Sequence, residues 1–129
     1  MFRVLRRSLA VSVGAKGTAS KFVTANITAK TLGSGSLEVF GTPAMVALME
    51  EAACHAVATE LGASQTTVGT KVEIVHLKCT PLGMGVRAEA TVTAVKGNFM
   101  TFDVVAYDDK EKIGPVSYTH LTLPTTPYV

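Results

Sequence analysis

From Val23 to Lys30 apolar and polar residues alternate, with Val23, Ala25, Ile27 and Ala29 set against Thr24, Asn26, Thr28 and Lys30. That period of two predicts a half-buried strand. A Gly/Ser loop follows at 31–36 (TLGSGS), and the apolar pair Leu37 and Val39 predicts a further brief strand. GTP at 41–43 then opens a helix. Thr42 reads as its N-cap, and Pro43 as its first helical residue, where a missing N–H costs nothing. The helix is expected to run to Leu61 and stop at Gly62. Ala44, Ala47, Ala52, Ala53, Cys54, Ala56 and Ala58 make it apolar nearly all round, which predicts a mostly buried helix able to approach other backbones closely.

The pattern then changes from helical to extended. Residues 66–79 alternate, with Val68, Val72, Ile74 and His76 sharing one parity. A TPLG turn at 80–83 leads to a run in which Val86, Ala88, Ala90, Val92 and Ala94 form an apolar face. KGN at 96–98 reads as a hairpin turn, after which Met100, Phe102, Val104 and Ala106 line an inward face. DDKEK at 108–112 is another turn before Ile113. Hairpin-linked strands around one helix predict an α+β domain with an antiparallel sheet.

Charge narrows the function classes. The net charge of +2 hides an asymmetry: residues 1–21 carry Arg3, Arg6, Arg7, Lys16 and Lys21 and no acid, while all 10 acidic residues lie beyond them. The net-acidic body offers no basic face, and its aromatics are not interleaved with Lys or Arg, which argues against nucleic-acid binding. No run approaches the roughly 20 apolar residues of a membrane span. With 129 residues there is room for one modest core. Two cysteines, Cys54 and Cys79, are too few for a disulfide framework, lack metal-knuckle spacing and sit in apolar stretches, so buried reduced thiols are expected.

Both ends differ from the body. Residues 1–21 (MFRVLRRSLAVSVGAKGTASK) are Arg-rich and Ser-bearing, with Phe2, Leu5 and Leu9 at helical spacing. This composition reads as a mitochondrial transit peptide; the alternative is a basic tail on a cytoplasmic protein. After Gly114 the chain reads PVSYTHLTLPTTPYV. Residues 116–125 match the translation of a transposon-end adapter from sequencing libraries, so 115–129 is expected to be non-native and the last natural strand missing. Tyr118 and His120 are then expected to carry no functional weight. The folded domain is placed at 22–114.

Three side chains suggest chemistry. At ~100° per residue, Glu50 falls among Val46, Cys54, Val57 and Leu61 on the helical wheel, whereas Glu51 falls with His55 on the polar side. A carboxylate among apolar neighbours loses hydration, and such groups cluster at functional sites. Alternatively, the helix end frays and Glu50 reaches water. His76 has inward parity, although a lone inward histidine is more often a satisfied core residue, and Thr42 alone is more often only a cap. Together they supply a hydroxyl, a carboxylate and an imidazole, the parts needed for acyl transfer.

TPAMVALMEEAA (42–53), QTTVGTKVEIVHLKCTPLG (65–83) and FDVVAYDDKEKIG (102–114) resemble, in order and spacing, the fluoroacetyl-CoA thioesterase family of hot-dog proteins. The resemblance implies a sheet wrapped around one central helix, pairing as a homodimer, and hydrolysis of a small acyl-CoA to free acid and CoA. It implies Thr42, Glu50 and His76 as catalytic residues, and Gly69 and Gly83 as substrate-contacting positions. It implies no metal and no redox cofactor, with CoA entering only as part of the substrate. Glu50 would be nucleophile or general base, Thr42 would orient it, and His76 would assist at the carbonyl or protonate the leaving thiolate. Fluoroacetate specificity is not implied, because the loop at Gly33 to Ser36 holds no aromatic residue. The alternative is a non-catalytic acyl-CoA-binding hot-dog protein; the Asp/His placement of a hot-dog dehydratase is not evident.

Overall fold

The computed structural model describes residues 11–62 and 65–124, with side chains described as far as Gly114. Its elements are β1 (Lys16–Phe22), a 3-10 turn (Ala25–Ile27), α1 (Ala29–Leu32), α2 (Thr42–Val57), β2 (Gln65–Ile74), β3 (Gly85–Lys96), β4 (Phe99–Asp108) and β5 (Lys112–Pro124). The strands form one antiparallel sheet in the order β1-β3-β4-β5-β2, with α2 lying chiefly over β1 and β3.

The β3–β4 hairpin follows the alternation closely. Ala88, Ala90 and Val92 pair with Ala106, Val104 and Phe102 across the register, and all six are buried, as are Val86 and Met100. Gly97 takes the positive φ (60°) that the tight turn requires. Only Ala94 leaves the inward face: a register shift between Val92 and Ala94 moves it outward and brings Val95 against the core. Against this sheet α2 buries Met45, Leu48, Met49, Ala52, Ala53, Ala56 and Val57. Its opposite side, including Ala47, Cys54 and Ala58, stays exposed, so the helix is less buried than its composition predicts.

Several other expectations are corrected. The segment 23–30 is not a strand: Thr28 caps α1 by accepting from the Thr31 N–H (3.2 Å), and Gly33 closes it at φ 76°. These local caps outweigh a weak alternation built largely on alanine. The first strand lies earlier, at Lys16–Phe22, so residues 16–21 belong to the sheet and not to a tail. Its apolar alternation is faint because only Ala19 is buried. The transit-peptide reading of residues 1–10 lies outside the described residues. Helix α2 ends at Val57, short of Leu61, and Gly62 donates to Gln65 Oε1 (2.7 Å) instead of closing the helix. Cys54 and Cys79 are exposed, against the expectation of buried thiols.

Two features mark the far edge of the sheet. The ladder between β2 and β5 shifts between Gly69 and Lys71. A bulge of one residue reverses which side chains face inward, so Gln65, Thr67 and Gly69 are half-buried before it, and Ile74 and His76 after it. Val68 and Val72 are exposed, against the expected inward set. Residues 112–124 form a strand, β5, that pairs with β4 on one side and β2 on the other. Ladder bonds use backbone groups, and VSYTHLTL is rich in β-formers with no internal proline. That pairing is indifferent to the origin of the segment.

The contact between β1 and α2 allows a direct test. A methyl group at Gly17 would overlap the backbone of Ala52 and Ala56, neither of which can move without shifting the helix. Gly17→Ala is predicted to cost about 3 kcal/mol or more, seen as a lowered urea midpoint; an unchanged midpoint contradicts the close approach.

Candidate active site

Thr42 is the first residue of α2, not its cap. Gly41 takes the cap position in extended conformation (φ −74°, ψ 142°), its carbonyl accepting from the Met45 N–H at 2.9 Å. The Thr42 hydroxyl is therefore not spent on the helix end. It lies 2.7 Å from His76 Nδ1, across 34 residues of chain. His76 reaches this point from the connection after β2, its ring edge-on to Phe40 at 6.4 Å and 82°. Phe40, 1% exposed, is two residues before Thr42, so one short segment supplies both the wall and the partner of the imidazole.

The two ring nitrogens differ in their surroundings. Nδ1 meets Thr42, whereas Nε2 is buried with no hydrogen-bond partner among the described residues. Burial disfavours the imidazolium and lowers the His76 pKa below 6.5, with the Lys78 backbone opposing part of that fall. In one neutral tautomer Nδ1–H donates to Thr42, leaving the hydroxyl proton free to point outward. In the other the hydroxyl donates to Nδ1, leaving its oxygen outward. Both make Thr42, which is exposed, the group that meets an incoming molecule.

Thr42, Val46, Glu50 and Cys54 follow at four-residue spacing on α2, a strip that drifts by about 40° per step. Cys54 Sγ touches Thr67 Oγ1 at 3.9 Å, so the C-terminal part of this strip faces β2. Glu50 is half-buried. Glu51 is exposed, with Lys21 Nζ at 3.8 Å and His55 Nε2 at 3.9 Å, and His55 Nδ1 donates to the Thr18 carbonyl at 2.6 Å. The wheel distinction between the two glutamates thus appears in their surroundings. Glu50 lies about 12 Å of helix rise from Thr42, so the structure brings Thr42 and His76 together and sets Glu50 further along the same strip.

Gly69 is half-buried at the β2 bulge, close to Thr67 on the same strand. Gly83 lies in the turn before β3 at φ 88°, and its N–H is engaged by the Val23 carbonyl at 2.8 Å. Its positive φ suits the turn. Sequence reasoning missed Phe40, and the signal available was its place immediately before GTP.

Among known proteins, the sequence model of the fluoroacetyl-CoA-specific thioesterase family (FlK) matches residues 23–125. A fluoroacetyl-CoA thioesterase from Streptantibioticus cattleyicolor is 37% identical over 83 residues, 64% of this chain. The matched part spans 58% of that relative's length. A variant of the fluoroacetyl-CoA-specific thioesterase FlK, solved with fluoroacetate and CoA, superposes with a TM-score of 0.83 at 28% identity, over 88% of this chain and 96% of that one. A thioesterase-superfamily member from Thermus thermophilus gives 0.82 at 27% identity, over 89% and 85%. A hot-dog-like protein from Thermanaerovibrio acidaminovorans gives 0.80 at 22% identity, over 90% and 86%, which supports the fold alone. The architecture is the hot-dog fold.

The lowered His76 pKa fixes the sign of a pH effect. Between the folded midpoint and 6.5 the folded chain binds fewer protons than the unfolded one, so the stability tied to neutral His76 is complete above pH 6.5 and lost as pH falls through the folded midpoint. An NMR titration of the ring should place that midpoint below 6.5; a midpoint above 6.5 contradicts the buried setting.

Proposed function

Because the chain belongs to the fluoroacetyl-CoA-specific thioesterase family, we propose that it hydrolyses the thioester of a small acyl-CoA to the free acid and CoA. The observation that carries this reading is the Thr42–His76 pair, 2.7 Å apart, on the same helix strip as Glu50. An exposed hydroxyl held by an imidazole, with a carboxylate further along, suits an acyl carbon approached from the helix side.

In this reading Glu50 supplies the attack, either directly or by taking a proton from water. Thr42 hydrogen-bonds to the reacting group, and His76 fixes and polarises the Thr42 hydroxyl. The Gly69 N–H, beside the bulge, would stabilise the developing oxyanion, a kind of donor whose removal elsewhere costs about 3 kcal/mol. The steps draw on side chains, backbone and water, with CoA as leaving group. A short acyl chain is favoured, and nothing in the Gly33 to Ser36 loop argues for fluoroacetate in particular.

A homodimer is part of the proposal. Val68, Val72, Val75 and Leu77, along and just beyond edge strand β2, are 37–56% exposed, an apolar border that a second copy would cover. Mitochondrial import is proposed from the acid-free, Arg-rich first stretch. No described helix is long and apolar enough to cross a membrane.

Glu50→Gln is the test. Thiol release from acetyl-CoA should fall at least about a hundredfold, while CoA affinity by calorimetry stays within about twofold. Binding by the unaltered protein without any turnover would instead favour the acyl-CoA-binding alternative.

A further inference from the structure

His76 sits in a stretch with little ladder support. Between the end of β2 at Ile74 and the bridge at Pro81, residues 75–80 pair with no strand. Besides the His76–Thr42 contact and the exposed Lys78–Glu111 ion pair (3.8 Å), three hydrogen bonds among the described residues anchor this stretch. The Leu77 N–H donates to the Ile113 carbonyl (2.7 Å), the Phe40 N–H donates to the Thr80 carbonyl (2.8 Å), and the Thr80 hydroxyl donates to Asp108 Oδ2 (3.0 Å). Thr80 is fully buried, and Asp108 is 8% exposed.

Asp108 is well satisfied for a buried acid. Oδ1 accepts from the Lys110 N–H (2.8 Å) and the Glu111 N–H (2.9 Å), and Oδ2 accepts from Thr80. Burial alone would raise its pKa; these three donors and the charge of Lys110 outweigh it, and the group is held below its ordinary value. The two backbone bonds shape the β4–β5 turn. The third leaves that turn and reaches the His76 stretch, a connection the turn itself does not need.

Thr80 stands at the junction. Its hydroxyl is tied to β4 through Asp108, and its carbonyl holds Phe40, which walls His76 and leads through Gly41 into Thr42. We propose that Thr80 and Asp108 are positioning residues that set the Thr42–His76 separation by clamping both segments to the end of β4. The proposal rests on the thioesterase reading for its consequence in catalysis, but its structural content stands apart from turnover. A loosened clamp lets the imidazole and hydroxyl drift, and small misplacements of reacting groups carry large rate penalties.

The test uses the full chain carrying Thr80→Val, which keeps the side-chain shape and removes the hydroxyl, with Thr80→Ser as the rescue. Two readouts are taken: kcat and KM with acetyl-CoA, and the imidazole 15N spectrum of His76 without substrate. Expected for Thr80→Val is a fall in kcat of about tenfold or more with KM within about twofold, and a shifted His76 spectrum. Thr80→Ser should restore both. A folded Thr80→Val whose His76 spectrum is unchanged overturns the proposal. If the unaltered protein has no turnover, the thioesterase reading fails while the spectrum still decides the clamp. Should Thr80→Val not fold, Asp108→Asn, which keeps an acceptor for the turn amides, is judged by the same readouts. Failure of both to fold overturns the proposal in favour of a purely structural role.

Discussion

How closely α2 can lie on the sheet governs the rest of this domain. Where Gly17 on β1 meets the Ala52–Ala56 turn of the helix there is no room even for a methyl group. Ala88 and Ala90 on β3, fully buried, keep the neighbouring surface low. Burial of apolar surface supplies the attraction, and small side chains let two backbones use it at short range. The helix can neither roll nor slide without opening a void or striking a strand. Its N-terminal residue is therefore fixed relative to the sheet edge that delivers His76.

That constraint turns a one-residue detail into chemistry. With Gly41 as cap, the first helical residue offers a hydroxyl with no duty to the helix end, and the imidazole takes it up. Had Thr42 been the cap, its oxygen would have bonded a backbone N–H of the first turn. Phe40 completes the arrangement by packing edge-on against the His76 ring, whose burial holds its pKa below the ordinary value. Glu50, two turns further on, shares the strip but not the hydrogen bond that joins the pair.

What could be read from the sequence depended on how each element is stabilised. Strands β3 and β4 were legible because their inward faces bury apolar side chains at alternate positions, from Val86 to Val92 and from Met100 to Ala106. Strand β1 was not, because its contribution is a glycine pressed on the helix and a single buried alanine, a signal indistinguishable from a polar tail. The parity of β2 failed at the Gly69–Lys71 irregularity, for which the isolated Gly69 was the available signal, although His76 still ended on the inner side because it lies beyond the bulge. The segment 23–30 carried a real period of two, yet Thr28 and Gly33 gave its backbone a better local solution. Of the site, Thr42, Glu50 and His76 were legible as motif residues; that Thr42 and His76 form a bonded pair, walled by Phe40, depended on a cap shifted by one residue and on contacts across 34 positions.

The central claim is that Thr42 and His76 act as one unit. A double-mutant cycle on acetyl-CoA hydrolysis, with Thr42→Val, His76→Ala and the pair combined, measures it directly. The account predicts strong non-additivity, the double variant being no slower than the slower single one to within about twofold. Losses that multiply would mean that the two side chains work independently, and would contradict it.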